Sequence, residues 1–429
     1  MHVRLASIIC LVQITIMPVF AEQADVNYDE AKIPSFTLPD PLILINGKQV
    51  DDPATWKETR RNEIIELFEN NVYGRAPADG SKVRFGEVEI DENALGGTAT
   101  RKQLKIFFAG NEKGTTADLL IYQPKDLKGQ VPVFVGLNFS GNHSIIDDPG
   151  IWLPNSWMLD RGNGTVDDHR ATERGRGSMN SRWPIHEILS RGYAVATIYY
   201  GDIDPDYDDD FQNGVHPLFY KTEQTRPADD EWGSIAAWAW GLSRALDYFE
   251  MDRDINHRQT VVLGHSRLGK AALWAGARDE RFAIVISNNS GCGGAALSRR
   301  RIGETVKQIN TRFPHWFCKK FHRYNGNEDK LPVDQHMLCA LVAPRPLYVA
   351  SAELDRWADP RGEFLSLQYS SPVYELLGKQ GLSNVEMPSI NKPILRDVAY
   401  HIRSGEHDIT LYDWQRYLDF SDQHFRGEK

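Results

Sequence analysis

Apolar positions along the chain fall into two regimes. Within residues 56–73 they recur at helical spacing (Ile64, Ile65, Leu67, Phe68) and stop before Gly74, whereas residues 81–108 alternate apolar and polar side chains as antiparallel strands do. From residue 117 onward short apolar runs at 118–122, 131–137, 193–199, 260–263, 283–287, 347–351 and 398–402 are separated by longer, helix-sized stretches. That rhythm predicts an α/β fold, a three-layer αβα sandwich in which a mostly parallel sheet carries helices on both faces. Four stretches lack either period, 138–182, 200–230, 289–335 and 352–390, and predict long irregular insertions. In sheets of this kind such insertions gather at the carboxyl ends of the strands, where function lies. With no internal repeat and no linker, residues 22–429 read as one domain whose first part, 22–115, forms an N-terminal layer.

Composition narrows the partners. The 429 residues, 41% hydrophobic and 10% aromatic, are enough for a large core. A net charge of −10 and a pI near 5.7 argue against nucleic acid as the main partner. Residues 1–21 carry a basic start (His2, Arg4), an apolar run and a small residue, Ala21, before polar Glu22. They read as a secretory signal peptide, because the run is short for a membrane span and contains Gln13 and Pro18. A secreted or periplasmic protein follows, off the membrane once the signal is removed and expected to act as a monomer. Beyond Cys10 the chain keeps Cys292, Cys318 and Cys339, enough for at most one internal disulfide. Cys318 and His322 stand at helical i, i+4 spacing but lack two further ligands, so no metal is expected.

The chemistry concentrates in residues 259–278. A short apolar run, a glycine-flanked turn and an alanine-rich helix place Ser266 at the apex of a nucleophile elbow, with Gly264 and Gly269 on either side. A serine hydroxyl needs a base to remove its proton, and hydrolases with this elbow supply acid and histidine later in the chain. Here an acidic turn, Glu353, Asp355 and Asp359, follows the run at 347–351, and a glycine-containing loop with His407 follows the run at 398–402. His407 is the expected base and Asp355 the first choice of acid, with Glu353 and Asp359 as alternatives. His401 falls inside a strand and reads as a packed residue. The backbone N–H of Arg267 should meet the developing oxyanion, with a second donor from residues 138–143. Arg267 and Lys270, at i and i+3, share one face of the first helical turn beside the serine.

The run Gly264-His265-Ser266-Arg267-Leu268-Gly269-Lys270 resembles the Gly-Cys-Ser-Arg-x-Gly-Lys signature of the glucuronoyl esterases, carbohydrate esterase family 15. The resemblance extends from about Pro41 to the C-terminus and includes the runs 138–143, 199–205, 290–294, 303–305 and 357–363. It implies an α/β-hydrolase fold, no metal or other cofactor, and cleavage of the ester that joins glucuronic acid on xylan to lignin alcohols. It further implies Ser266 as nucleophile, His407 as base, Arg267 as oxyanion-stabilising side chain, and Lys270, Glu304, Trp357 and Gln308 as contacts to the uronic acid. Two departures stand out. Asn288-Asn289 occupies the place where many members carry the triad acid, which moves that role to the later turn and Asp355, as in bacterial members. His265 replaces a half-cystine of the fungal members.

The expectation is therefore a serine-type carboxylic ester hydrolase working through an acyl-enzyme, with glucuronic-acid esters on xylan or lignin–carbohydrate complexes as substrate. An acetyl xylan or feruloyl esterase is the nearest alternative within esterases. A non-catalytic carbohydrate-binding relative, suggested by Asn289, is the alternative from another class.

Overall fold

The computed structural model describes residues 26–77, 82–126 and 129–427. The expected signal peptide lies outside them. Strands are numbered in chain order: β1 (Arg84–Phe85), β2 (Glu89–Asn93), β3 (Ala99–Phe107), β4 (Thr116–Pro124), β5 (Val131–Asn138), β6 (Val166–Asp167), β7 (Arg170–Ala171), β8 (Ala194–Tyr199), β9 (Ile255–His265), β10 (Ile284–Asn288), β11 (Leu347–Ala352) and β12 (Val398–Arg403). Ten of them form one sheet in the order β1-β3-β4-β8-β5-β9-β10-β11-β12, with β2 also paired to β3, while β6 and β7 make a separate hairpin. The β1, β2, β3, β4 and β8 pairings are antiparallel, and from β8 to β12 every neighbour is parallel. The break between alternating and continuous apolar patterns near residue 117 is thus close to the point where antiparallel pairing gives way to parallel.

Residues on the parallel strands are buried on both faces, and successive side chains enter two different cores. Val285 belongs to the layer containing Trp56, Phe68 and Trp274, whereas its neighbours Ile284 and Ile286 face the layer containing Phe134, Trp414 and Tyr417. Helix Ser234–Phe249 is almost wholly buried on the first of these faces, which is why its sequence has no polar stripe. The helical period at 56–73 is an α-helix, Arg61–Phe68, flanked by wider π-type turns at Trp56–Arg60 and Glu69–Tyr73.

The stretch 352–390 is not irregular throughout: it holds a 17-residue helix, Pro360–Leu376. Its buried face is built partly from serines, which erases the apolar period. Ser370 and Ser371 donate their hydroxyls to the backbone oxygen of Leu367 at 2.9 and 2.6 Å, satisfying polar groups that are themselves buried. Asp359 starts the helix, accepting from the N–H of Gly362, with Pro360 in the first turn.

Ser266, Asn289, Asp355 and His407 follow β9, β10, β11 and β12, so four adjacent parallel strands deliver their carboxyl ends to one place.

Candidate active site

Ser266 sits at φ 58° and ψ −130°, a conformation that a residue with a side chain adopts only under constraint. Its N–H donates to Asn288 O at 2.9 Å, and its own carbonyl accepts from Gly269 and Lys270 at 2.9 and 3.2 Å. The flanking glycines let strand and helix close on each other. A Cβ at Gly264 would lie 2.0 Å from Leu268 O, and one at Gly269 would crowd Gly264 O and Asn288 O at 3.0 and 3.1 Å. The hydroxyl therefore stands clear of the turn with helix Arg267–Arg278 beginning directly after it.

His407 Nε2 lies 2.9 Å from Ser266 Oγ, and its Nδ1 lies 2.6 Å from Asp355 Oδ2. The same carboxylate oxygen accepts from Asn289 Nδ2 at 2.8 Å. Burial pushes the Asp355 carboxyl up, but the hydrogen bond and charge of His407 and the amide of Asn289 outweigh it and hold it below its ordinary value. An ionised Asp355 keeps the proton of His407 on Nδ1 and presents the Nε2 lone pair to the serine. The other two carboxylates of the turn do not bond the histidine: Asp359 caps a helix and pairs with Arg300 at 2.7 Å, and His407 Nδ1 meets Asp355, not Glu353.

The loop carrying His407 is held from below by Arg403. Its guanidinium donates to the carbonyls of Ser404, Glu406 and Asp408 at 2.9, 3.0 and 2.5 Å, while its Nε donates to Asp413 at 2.9 Å. His265 packs its ring 4.6 Å from that of His407, and burial holds it neutral. His401 is buried between Tyr348 and Asp413, at 2.8 and 2.9 Å, away from the cleft.

Arg267 is braced rather than solvated. Its guanidinium contacts Asp206 and lies 4.7 Å over Trp316, with Phe313 and Phe139 at 5.5 and 5.8 Å. Phe139 is what the 138–143 loop contributes here, since Asn138 and Asn142 turn inward and bond each other at 2.7 Å. Asp206 also accepts from His315 at 3.0 Å, Trp316 Nε1 at 2.7 Å and Tyr200 at 3.0 Å. Burial alone would raise its carboxyl, yet His315, Arg267 and Trp316 together bring it down to about 2.

Lys270 is buried and donates to Ser290 O at 2.5 Å; burial lowers its ammonium pKa and Glu304 opposes that shift. Glu304 moves the other way, raised by burial and countered by Lys270. Its backbone N–H donates to Trp357 O at 2.9 Å, tying the two turns together. Gln308 uses its side-chain oxygen as a helix cap, accepting from the N–H of Thr305 at 2.8 Å. Ser266, His407, Asp355, Arg267, Lys270, Glu304, Gln308 and Trp357 all line one open cleft of about 1060 Å³. Among the described residues no group of three or more His, Cys, Asp or Glu side chains is placed to hold a metal, and Cys292, Cys318 and Cys339 are buried free thiols.

Sequence reasoning missed Asp206, Trp316, Arg403 and Glu363. Asp206 lies in the acidic run 202–210, which reads as a solvated surface until folding brings one member against Arg267. Glu363 is wholly buried beneath the turn after β10, where it accepts from the N–H groups of Ser290 and Gly291 at 2.8 and 2.9 Å and meets Ser351 Oγ at 2.6 Å. Burial pushes its carboxyl up to about 8 from an ordinary 4.5. Between those pH values the folded protein holds a proton that the unfolded chain releases, so this group makes stability fall as pH rises through the window. Glutamine reproduces the neutral acid's shape and bonding, so Glu363→Gln should flatten that fall. Urea midpoints measured at about pH 5 and about pH 8 should differ less in the variant than in wild type.

Strand order and the turn at Ser266 define an α/β-hydrolase with a serine at its elbow. A sequence model of fungal glucuronyl esterases matches residues 186–378. Carbohydrate esterase MZ0003, from an unknown prokaryotic organism, is 52% identical over 409 residues, 95% of this chain and 94% of that one. A 4-O-methyl-glucuronoyl methylesterase of Neurospora crassa is 35% identical over 373 residues, 84% of this chain and 78% of the relative. The solved glucuronoyl esterase of Solibacter usitatus superposes with a TM-score of 0.87 at 47% identity, covering 92% of this chain and 100% of that one. The chain belongs to the glucuronoyl esterases, carbohydrate esterase family 15, and is a carboxylic ester hydrolase.

Proposed function

We propose that the protein hydrolyses esters of (4-O-methyl-)glucuronic acid, as the names of its relatives state for them, through an acyl-enzyme on Ser266. His407 takes the serine proton as Oγ attacks the C6 carbonyl, and Asp355 stabilises the imidazolium that results. The oxyanion is met by the Arg267 backbone N–H and by its guanidinium, which Asp206 and Trp316 hold in place. His407 then delivers the proton to the departing alcohol, water enters, and the same base activates it for deacylation. Lys270, Glu304 and Trp357 bind the sugar: an ammonium and a carboxylate address hydroxyls that both donate and accept, and an indole can lie against the ring.

The observation that carries this reading is the meeting of those three side chains with Ser266 in one cleft. An acetyl group fills no such space and uses none of those donors. Gln308, committed to its helix cap, would contribute through its remaining amide N–H groups. Substrates are taken to be glucuronoxylan esters of lignin alcohols, met outside the cell. The composition of residues 1–21 supports export, and no helix among the described residues is long and apolar enough to cross a membrane.

The test compares kcat/KM for benzyl glucuronate with that for p-nitrophenyl acetate. The glucuronate ester should be preferred, and the preference should collapse in Lys270→Ala and Trp357→Ala. Preference for the acetate would replace the glucuronoyl reading with that of a general acetyl esterase.

A further inference from the structure

The segment 26–32 runs along the mouth of the cleft, and Val26 and Tyr28 form part of its wall. Three contacts hold it there. Asn27 O accepts from the N–H of Gly303 at 2.9 Å, Tyr28 O accepts from Arg356 Nη2 at 2.6 Å, and Glu30 accepts from Arg300 at 2.5 Å. Arg300 is itself buried and paired with Asp359 at 2.7 Å. Gly303, at φ 61°, lies so close to the 355–359 turn that a Cβ there would stand 2.3 Å from Trp357 O. Segment, 300–304 turn and 355–359 turn are therefore one packed unit, the unit that also carries Glu304 and Trp357.

Within it the Tyr28 backbone is fixed but the side chain is not covered. The residue is 39% exposed, the Arg356 guanidinium lies 4.9 Å from its ring centroid, and its hydroxyl bonds none of the described residues. The anchors of Tyr28 neighbour Trp357 and Glu304, not Ser266 and His407. With the uronic acid against Trp357 and Glu304, as proposed above, a ligand that also reaches Tyr28 would extend beyond that sugar. What lies there in a glucuronoyl ester is the glycan chain to which the uronic acid is attached.

We infer that Tyr28 is a specificity-determining contact for that chain, its ring stacking on the C–H face of a neutral pyranose beyond the uronic acid. The inference rests on the glucuronoyl reading above. An aromatic face offers a flat apolar surface matched to a pyranose, and the Tyr28 hydroxyl and Arg356 guanidinium remain available to sugar hydroxyls at its edge.

The experiment measures kcat/KM of wild type, Tyr28→Ala and Tyr28→Phe on four esters: methyl and benzyl glucuronate, and the methyl and benzyl esters of the same acid carried on xylotriose. Tyr28→Ala should lose about five- to tenfold on both oligosaccharide esters and stay within about twofold of wild type on both monosaccharide esters, a loss of the size one aromatic contact supplies. Tyr28→Phe should keep most of the activity on all four. Equal effects on mono- and oligosaccharide esters, or no effect on any, would overturn the inference. So would a loss that follows the benzyl group and not the glycan, since the ring would then be reading the alcohol. Wild type that cleaves none of the four would remove the glucuronoyl reading itself, and this inference with it; the monosaccharide esters tell the two failures apart.

Discussion

Ser266→Ala should lower kcat on benzyl glucuronate by at least about 10⁴-fold, the scale on which serine hydrolases lose activity when the nucleophile is removed. Apart from His407, no described side chain of the cleft bonds that hydroxyl. Lys270 is held by Ser290 O, Arg267 by Asp206 and Trp316, and Glu304 by the Trp357 turn, so the proposed sugar-binding wall should survive the change. The variant should therefore bind the substrate with an affinity close to wild type while failing to turn it over. Calorimetric titration with benzyl glucuronate checks the first half and steady-state kinetics the second. The turn should also keep its shape, because the bonds that hold it are made by the Ser266 backbone and not by its side chain.

Asp355→Asn is the second large effect, about 10³- to 10⁴-fold in kcat with little change in KM, since an amide removes the charge and permits the wrong tautomer of His407. The geometry makes the loss specific. One carboxylate oxygen, Oδ2, takes both His407 Nδ1 and Asn289 Nδ2, at 2.6 and 2.8 Å. An amide that turns its oxygen to that place keeps both bonds without the charge, and one that turns its NH2 there faces both donors and forces the other tautomer of His407. Asn289→Ala removes only the second bond and should cost on the order of tenfold, the worth of one hydrogen bond to a charged acceptor. Glu353→Gln, in the same turn but off the histidine, should stay within about twofold, a discount appropriate to a group with no contact to the reacting atoms. Equal losses at Glu353 and Asp355 would show that the turn acts through its total charge and not through one carboxylate.

The sheet was legible in the sequence because parallel strands buried on both faces leave continuous apolar runs, and each of the seven expected runs falls within or overlaps an observed strand. The elbow was legible because it is local: a Cβ at Gly264 or Gly269 would lie 2.0 or 3.0 Å from backbone oxygens within a few residues of Ser266. What escaped was long-range or masked by polar residues. Helix Pro360–Leu376 buries Ser366, Ser370 and Ser371, so its inner face carries hydroxyls where a period-based reading looks for leucines. Asp206 reaches Arg267 across 61 residues, and Glu363 reaches the Ser290 turn across 73; neither spacing leaves a mark in the chain. Asn289 gave a true but incomplete signal. It said that the position cannot supply a negative charge, and only the fold shows its amide bonded to the carboxylate of Asp355.

The same separation explains why Arg267 and Lys270 look alike in the sequence and differ in the site. Both occupy the first turn after Ser266, yet Arg267 is sandwiched between a carboxylate and three aromatic rings, which fixes a planar cation beside the serine. Lys270 is buried deeper, against Ser290 O and within the field of Glu304, and burial lowers its pKa. The proposed roles follow that difference: Arg267 to meet charge that develops during the reaction, Lys270 to hold a ligand hydroxyl.

The most direct test of the account is peptide mass spectrometry of enzyme acid-quenched during turnover of benzyl glucuronate. A glucuronoyl ester is expected on the peptide that contains Ser266, and none in Ser266→Ala. A glucuronoyl group on any other residue, or turnover that persists in Ser266→Ala, would contradict it.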